Sequence, residues 1–364
     1  MATYRYTDPV LPKSATGRSA EAYAQMAADF GIAEPAPLVA LTPAPELFTA
    51  AWALLRESLL AGGDDAFGSG GTTRTERELV ALGVSLANRC PFCVTAHTMM
   101  LHATGDHRVA ERVLRGEQPE DPDQARLLAW ARATRTLRAA EPAMPPFPRA
   151  HAPAHIGTAL SFHFINRVAS SLITEDMLPC NAQRFRAVRS LGGRSLQKSV
   201  RRSCAPGASL SLIDDPQPGP SWAAGTPVGS AYAALRSAAT AGASLLDEDD
   251  RALVEGTVAA WDGEHPPLTW DALPDRASRP GARLALLAAL APYRITDEDV
   301  AAWKKPPFSD HCLVHLIAFG AFTAVDRIES TLAEQHQSQH QHQSQHQSQH
   351  QHHARSPQPA EEAS

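Results

Sequence analysis

Residues 78–97 read ELVALGVSLANRCPFCVTAH and bring together four side chains capable of acid–base and redox chemistry. Glu78 is followed twelve residues later by a Cys-x-x-Cys pair, Cys90 and Cys93, and His97 lies four residues beyond the second thiol. Two thiols at this spacing, near the start of a helix, can close a small disulfide. A base four residues past Cys93 shares its helix face. Because the thiolate is the reactive form, such a thiol needs a route for its proton and a partner to resolve it once oxidised. The pattern points to thiol–disulfide chemistry, with Cys93, Cys90, His97 and Glu78 as candidate catalytic residues.

The elements around these residues must position them. Thr75 and Glu78 fit a T-x-x-E capping box at the head of a helix over 76–88, which gives Glu78 a purely structural role as the rival reading. Asn88-Arg89 breaks that helix, and Pro91 suits the first turn of the next one. Cys90 then lies near a helix N-terminus, where unpaired N–H groups and the macrodipole favour a thiolate. Cys93 sits one turn in, facing His97, with Phe92, Val94, Met99 and Met100 as apolar surroundings. Structural zinc on Cys90, Cys93, His97 and His102 would crowd four ligands onto about three turns with no opposing knuckle. A thioredoxin-type motif needs a preceding strand, and none is evident. Two inert buried cysteines fit the neighbouring imidazole and carboxylate less well.

The chain has 364 residues, a net charge of -6 and 43% hydrophobic residues. That is enough for one large or two medium domains, and it carries no global basic field for nucleic acid. Of five cysteines, Cys180, Cys204 and Cys312 stand alone, a usage that fits a reducing compartment with one redox pair. There is no apolar signal core at the N-terminus and no run of about 18 apolar residues. A soluble, cytoplasmic protein without a membrane partner is expected.

Apolar residues recur at three- and four-residue spacing over 46–61, 76–88, 93–103, 124–139 and 156–173, so an all-α, multi-helical protein is expected. Pro- and Gly-rich breaks fall at 61–72, 141–153, 205–229 and 263–281. Segments after 229 echo earlier ones in the same order: 250–263 can be laid over 77–90, 282–295 over 125–136, and 311–330 over 155–170. This suggests an internal duplication. In that register Glu78, Cys90, Cys93 and His97 fall on Ala252, Glu264, Pro267 and Asp271, so the second copy has lost the chemistry. The expected organisation is an N-terminal extension (1–40), a repeat with the thiol pair (41–204), a linker (205–229), a degenerate repeat (230–332) and a disordered Gln/His-rich tail (333–364).

Other residues read more blandly. His151, His155 and His163 suit core or capping positions, although His155 and His163, eight apart, share a helix face. His311 and His315 stand at i,i+4 spacing beside Cys312, but without a carboxylate or second thiol to complete a set they read as packing. Seven Lys/Arg in 184–202 read as a solvated helix face. The seven histidines of 335–353 read as low-complexity drift.

The stretch TERELVALGVSLANRCPFCVTAHTMMLHATG resembles the core of the carboxymuconolactone decarboxylase-like superfamily, and within it the alkylhydroperoxidase D-like branch. That branch has the pattern E-x11-C-x2-C-x3-H, onto which Glu78, Cys90, Cys93 and His97 all fall. The match is closest over 74–105 and extends more weakly to about 175, through Asn166-Arg167. The resemblance implies an all-helical thiol-dependent peroxidase or disulfide reductase acting on organic hydroperoxides. Cys93 would be the peroxidatic thiol, and Cys90 the resolving thiol nearer the surface. His97 would take the proton of Cys93, and Glu78 would orient that imidazole. The reductant would be an external dithiol protein or lipoyl group, with no metal or flavin, and the chain would assemble as a homo-oligomer. Phe92 departs from the pattern, standing where a relay histidine is often found between the cysteines. The alternatives are a lactone decarboxylase-like lyase, which has no need of the thiols, and a non-enzymatic redox-sensing protein.

Overall fold

The helices follow from the Ala- and Leu-rich periodicity, and the breaks between them fall largely at the prolines and glycines. The computed structural model describes residues 4–62, 71–137, 144–174, 186–214 and 217–354, the side chains of 186 and 339–354 excepted. Cys180 and Arg184 lie outside the described residues. Among those residues there are fourteen α-helices and no β-strand; extended pairing is limited to two isolated bridges, Tyr4 with Ile173 and Ala61 with Cys204. The all-α expectation holds.

The N-terminal segment carries α1 (Gly17–Gln25) and the single turn α2 (Ala36–Val39), and leads into α3 (Pro45–Leu55). The elements of the thiol-bearing region are α4 (Arg74–Ala87), α5 (Pro91–Thr104), α6 (His107–Leu114), α7 (Pro122–Ala133) and α8 (Ala152–Leu172). The helix α9 (Arg186–Val200) lies along α5. The later part holds α10 (Pro227–Thr240), α11 (Glu248–Ala259), α12 (Pro280–Leu290), α13 (Asp297–Trp303) and α14 (Asp310–Ala354). The helix α4 packs on α5, α7 and α8, while α11 packs on α12 and α14.

The long α8 is the axis of the core. It is buried along nearly its whole length and packs against α4, α3, α10, α12 and α14. One apolar cluster accordingly runs through both parts of the chain, from Phe48 and Trp52 of α3 through Phe164 of α8 to Phe322 of α14. The stretch 205–229 is no free tether: Leu212, Ile213, Trp222 and Ala223 are buried in that cluster. Buried Glu57 accepts hydrogen bonds from Gly207 N and from Ser209 N and Oγ, which anchors the segment to α3's C-terminal extension.

Disorder was expected over 333–364, but the backbone stays helical to Ala354, because the Gln/His/Ser tract holds no Pro or Gly to stop a helix already nucleated by its buried first half. The part Asp310–Ser338 is long and apolar enough to cross a membrane by length and composition alone, yet 72% of its apolar window is buried inside the protein. The basic run is also divided. Arg194, Lys198, Arg201 and Arg202 are exposed, but Arg189 is buried and forms a bidentate pair with Glu111, 2.8 Å to each oxygen.

Candidate active site

The two helices that hold the site meet at a tight elbow. The capping box that opens α4 is Thr73-x-x-Glu76, with Thr73 Oγ1 accepting from Glu76 N at 3.1 Å and Glu76 accepting from Thr73 N at 2.6 Å. This removes the capping role considered for Glu78, which lies half a turn further on and points inward, fully buried. The helix ends at Ala87, and Arg89 turns the chain through the left-handed region at φ 54°. Cys90 is then the N-cap of α5 and Pro91 its first residue, as the sequence implied. Asn88 locks the elbow. Its Oδ1 accepts from Arg135 Nη1 at 2.9 Å and its Nδ2 donates to His163 Nδ1 at 3.1 Å. From the later part of the chain, His265 Nε2 donates to Ala87 O at 3.0 Å.

Cys90 Sγ lies 2.8 Å from Cys93 Sγ, and the two are not joined in a disulfide. His97 Nδ1–H donates to Glu78 Oε2 at 2.7 Å, and Arg74 Nε donates to Glu78 Oε1 at the same distance. This bond leaves His97 Nε2 as the basic nitrogen. The imidazole stands edge-on to Phe162 of α8, with ring centroids 4.3 Å apart. All four predicted site residues are therefore gathered between α4, α5 and α8.

Burial sets the electrostatics. It pushes the Cys93 thiol well above its ordinary value, and the adjacent Cys90 thiol adds to that. Whatever the N-terminus of α5 offers a thiolate, desolvation outweighs it at Cys93. Burial likewise pushes the Glu78 carboxyl up, but the Arg74 charge and the His97 hydrogen bond overcome it and hold Glu78 below the usual carboxylate range.

The thiols open onto different cavities. Cys93 and His97 line an apolar cavity of about 270 Å³, walled also by Phe162 and Ile165 of α8 and roofed by Phe30, Ile32 and Pro35–Leu38 of the N-terminal segment. Cys90 lines a second cavity of about 230 Å³, with Arg5, Ser170, Thr174 and Tyr293. Phe92 borders both. Cys90 is not the more exposed thiol expected from the resemblance: it is 1% exposed against 3% for Cys93, and Tyr293 and the N-terminal residue Arg5 line the cavity it borders.

Sequence reasoning missed several of these neighbours. Arg74 was legible as the i,i+4 partner of Glu78. Nothing local marks the N-terminal roof, Phe162, Arg5 or Tyr293, which arrive through tertiary packing. His102 faces away from the thiols, with Nδ1 2.7 Å from His107 Nδ1 and Nε2 2.9 Å from Glu111, so a zinc set with Cys90, Cys93 and His97 is not assembled. His163 is a core residue bonded to Asn88 and Thr134. His155 packs on Phe147, and burial lowers its pKa to about 3.

Comparison with known proteins places residues 47–110 on the model of the carboxymuconolactone decarboxylase family. The chain is 37% identical over 348 residues to a Mycobacterium tuberculosis protein named alkyl hydroperoxide reductase, an alignment covering 92% of this chain and 96% of that protein. No solved structure matches the chain significantly.

Proposed function

The chain belongs to the carboxymuconolactone decarboxylase family, in its alkylhydroperoxidase-like branch, and from that premise we propose that it reduces organic hydroperoxides through Cys93 and Cys90. The name of the Mycobacterium tuberculosis relative supports a peroxidase role. The observation that carries the reading is the placement of Cys93 and His97 on one apolar cavity, with a second thiol 2.8 Å from the first.

The peroxide enters the cavity lined by Cys93. Nε2 of His97 takes the thiol proton, and the Glu78 carboxylate stabilises the imidazolium that results. The thiolate attacks the terminal peroxide oxygen. An S–O bond forms, the O–O bond breaks, and the leaving alkoxide takes the proton from His97 to depart as an alcohol. Cys93 is now a sulfenic acid. Cys90 attacks that sulfur, water leaves, and a Cys90–Cys93 disulfide remains. An external dithiol, a dithiol protein or a lipoyl group, restores both thiols by exchange from the Cys90 side. Burial keeps Cys93 protonated at rest, so the His97–Glu78 pair is what makes it reactive. This mechanism uses no metal or flavin, and assembly as a homo-oligomer is part of the same proposal.

The test is peroxide consumption with a dithiol reductant, followed with mass spectrometry of the thiols. Cys93→Ser and Cys90→Ser should each abolish turnover, and only Cys90→Ser should allow a sulfenic acid to be trapped, on Cys93. Undiminished turnover in Cys93→Ser would overturn the assignment.

A further inference from the structure

Far from the thiols, three metal-binding side chains converge at the junction of α3 and α14. His311 and His315 lie one turn apart at the start of α14, with ring centroids 4.5 Å apart. The carboxylate that meets them is Glu46, in the first turn of α3. Its Oε1 lies 2.6 Å from His315 Nε2 and 3.3 Å from His311 Nε2. One ligand atom from each residue falls within 4.8 Å of the other two. Both imidazoles thus aim the same nitrogen at a single carboxylate oxygen, and one oxygen serves two N–H donors unevenly. His315 is buried, whereas His311 and Glu46 stand 52% and 44% exposed at the side chain, so the triangle has a closed back and an open front.

We propose that Glu46, His311 and His315 bind a divalent transition-metal ion of the zinc class, leaving one coordination position open to water. Two neutral imidazoles and one carboxylate form a donor set suited to such an ion. The i,i+4 spacing supplies two ligands from one helix face, and the third comes from a separate element. Cys312 is not part of the set: its Sγ accepts from Ser309 Oγ at 3.6 Å. Bound metal replaces the shared hydrogen bonds with ligand bonds and ties the start of α14 to the start of α3. These two helices sit in the same core cluster as the redox pair, so the ion stabilises the folded chain without touching Cys93. The site is independent of the peroxidase reading.

The probe is Zn2+, with Co2+ as its coloured substitute, added to the full chelator-stripped chain. The histidine tract at 335–353 is the same in every variant, so whatever metal it takes up serves as the internal reference. Wild type should show one site tighter than that background, a Co2+ visible spectrum of nitrogen and oxygen ligands, and a rise in unfolding temperature with Zn2+. Glu46→Gln and His311→Ala, both at exposed positions, should each weaken that site by at least about 10-fold and remove the thermal shift. His315→Ala should abolish it. Equal affinity, spectrum and thermal shift in wild type, Glu46→Gln and His311→Ala would overturn the proposal and leave binding by the tract alone.

Discussion

At the scale of the residue, Glu78 shows how one side chain joins stability to chemistry. It is fully buried between Arg74 and His97. Glu78→Gln leaves the mostly buried Arg74 guanidinium without its counter-charge, at a cost of about 3 kcal/mol. It also removes the group that stabilises the His97 imidazolium, so kcat/KM should drop about 100-fold. Because the folded pKa of Glu78 lies below the ordinary 4.5, its contribution to stability is complete above about pH 4.5. That contribution is lost as pH falls through the lowered folded value. Acid denaturation of wild type should therefore include a component that Glu78→Gln lacks, read by chemical denaturation between about pH 3 and 7; matching acid profiles would refute this account. The identity of the four catalytic candidates was legible because their chemistry and spacing are local. The role of Glu78 was less so. Two T-x-x-E patterns overlap in TTRTERE, and only the three-dimensional start of α4 decides that Thr73 and Glu76 form the cap.

At the scale of the element, the placement of Glu78 depends on how closely α4 approaches α7. Gly83 marks the contact: a Cβ there would stand 2.7 Å from Ala131 Cβ and 3.2 Å from Leu128 O. Gly83→Ala must push α4 off α7 and should destabilise the chain by about 1–3 kcal/mol. Since α4 also carries Glu78, the same substitution should lower peroxide turnover, while Gly256→Ala, with open space around it, should change neither quantity. A calorimetric scan beside the activity assay checks both. Helix boundaries around the site were readable from Asn88-Arg89 and Pro91. The path of α9 along α5 was not, because its basic residues resemble a solvated face. Arg189 is drawn inward by Glu111, 78 positions away in the chain, a pairing no local pattern encodes.

At the scale of the whole molecule, the segment before residue 40 completes the site. Phe30, Ile32 and Pro35–Leu38 roof the Cys93 cavity, and Tyr23, Met26, Leu38 and Val39 belong to the core. A chain lacking residues 1–40 should lose several kcal/mol of stability, from burial worth about 1.5–3 kcal/mol for each large apolar side chain. If it remains folded, its Cys93 should be alkylated much faster than in the full chain, which peptide mass mapping would show; unchanged rates would remove this segment from the site. The sequence marked 1–40 as an extension but not as a roof, because a roof exists only once α5 and α8 are packed beneath it. The later part of the chain has a similar standing. His265 and Tyr293 lack thiol chemistry, yet one holds the elbow and the other lines the Cys90 cavity.

The aromatic ring of Phe92, shared by the two cavities, has a kinetic consequence. A single doorway for oxidant and reductant would make each a competitor of the other. With a party wall between them, the alcohol can still be leaving on one side while electrons arrive on the other. Initial rates measured against both substrates should then give parallel double-reciprocal lines, without the upturn at high peroxide that marks competition for one entrance. Phe92→Ala opens the wall and should bring that upturn back; parallel lines in both proteins would mean that the ring keeps no traffic apart.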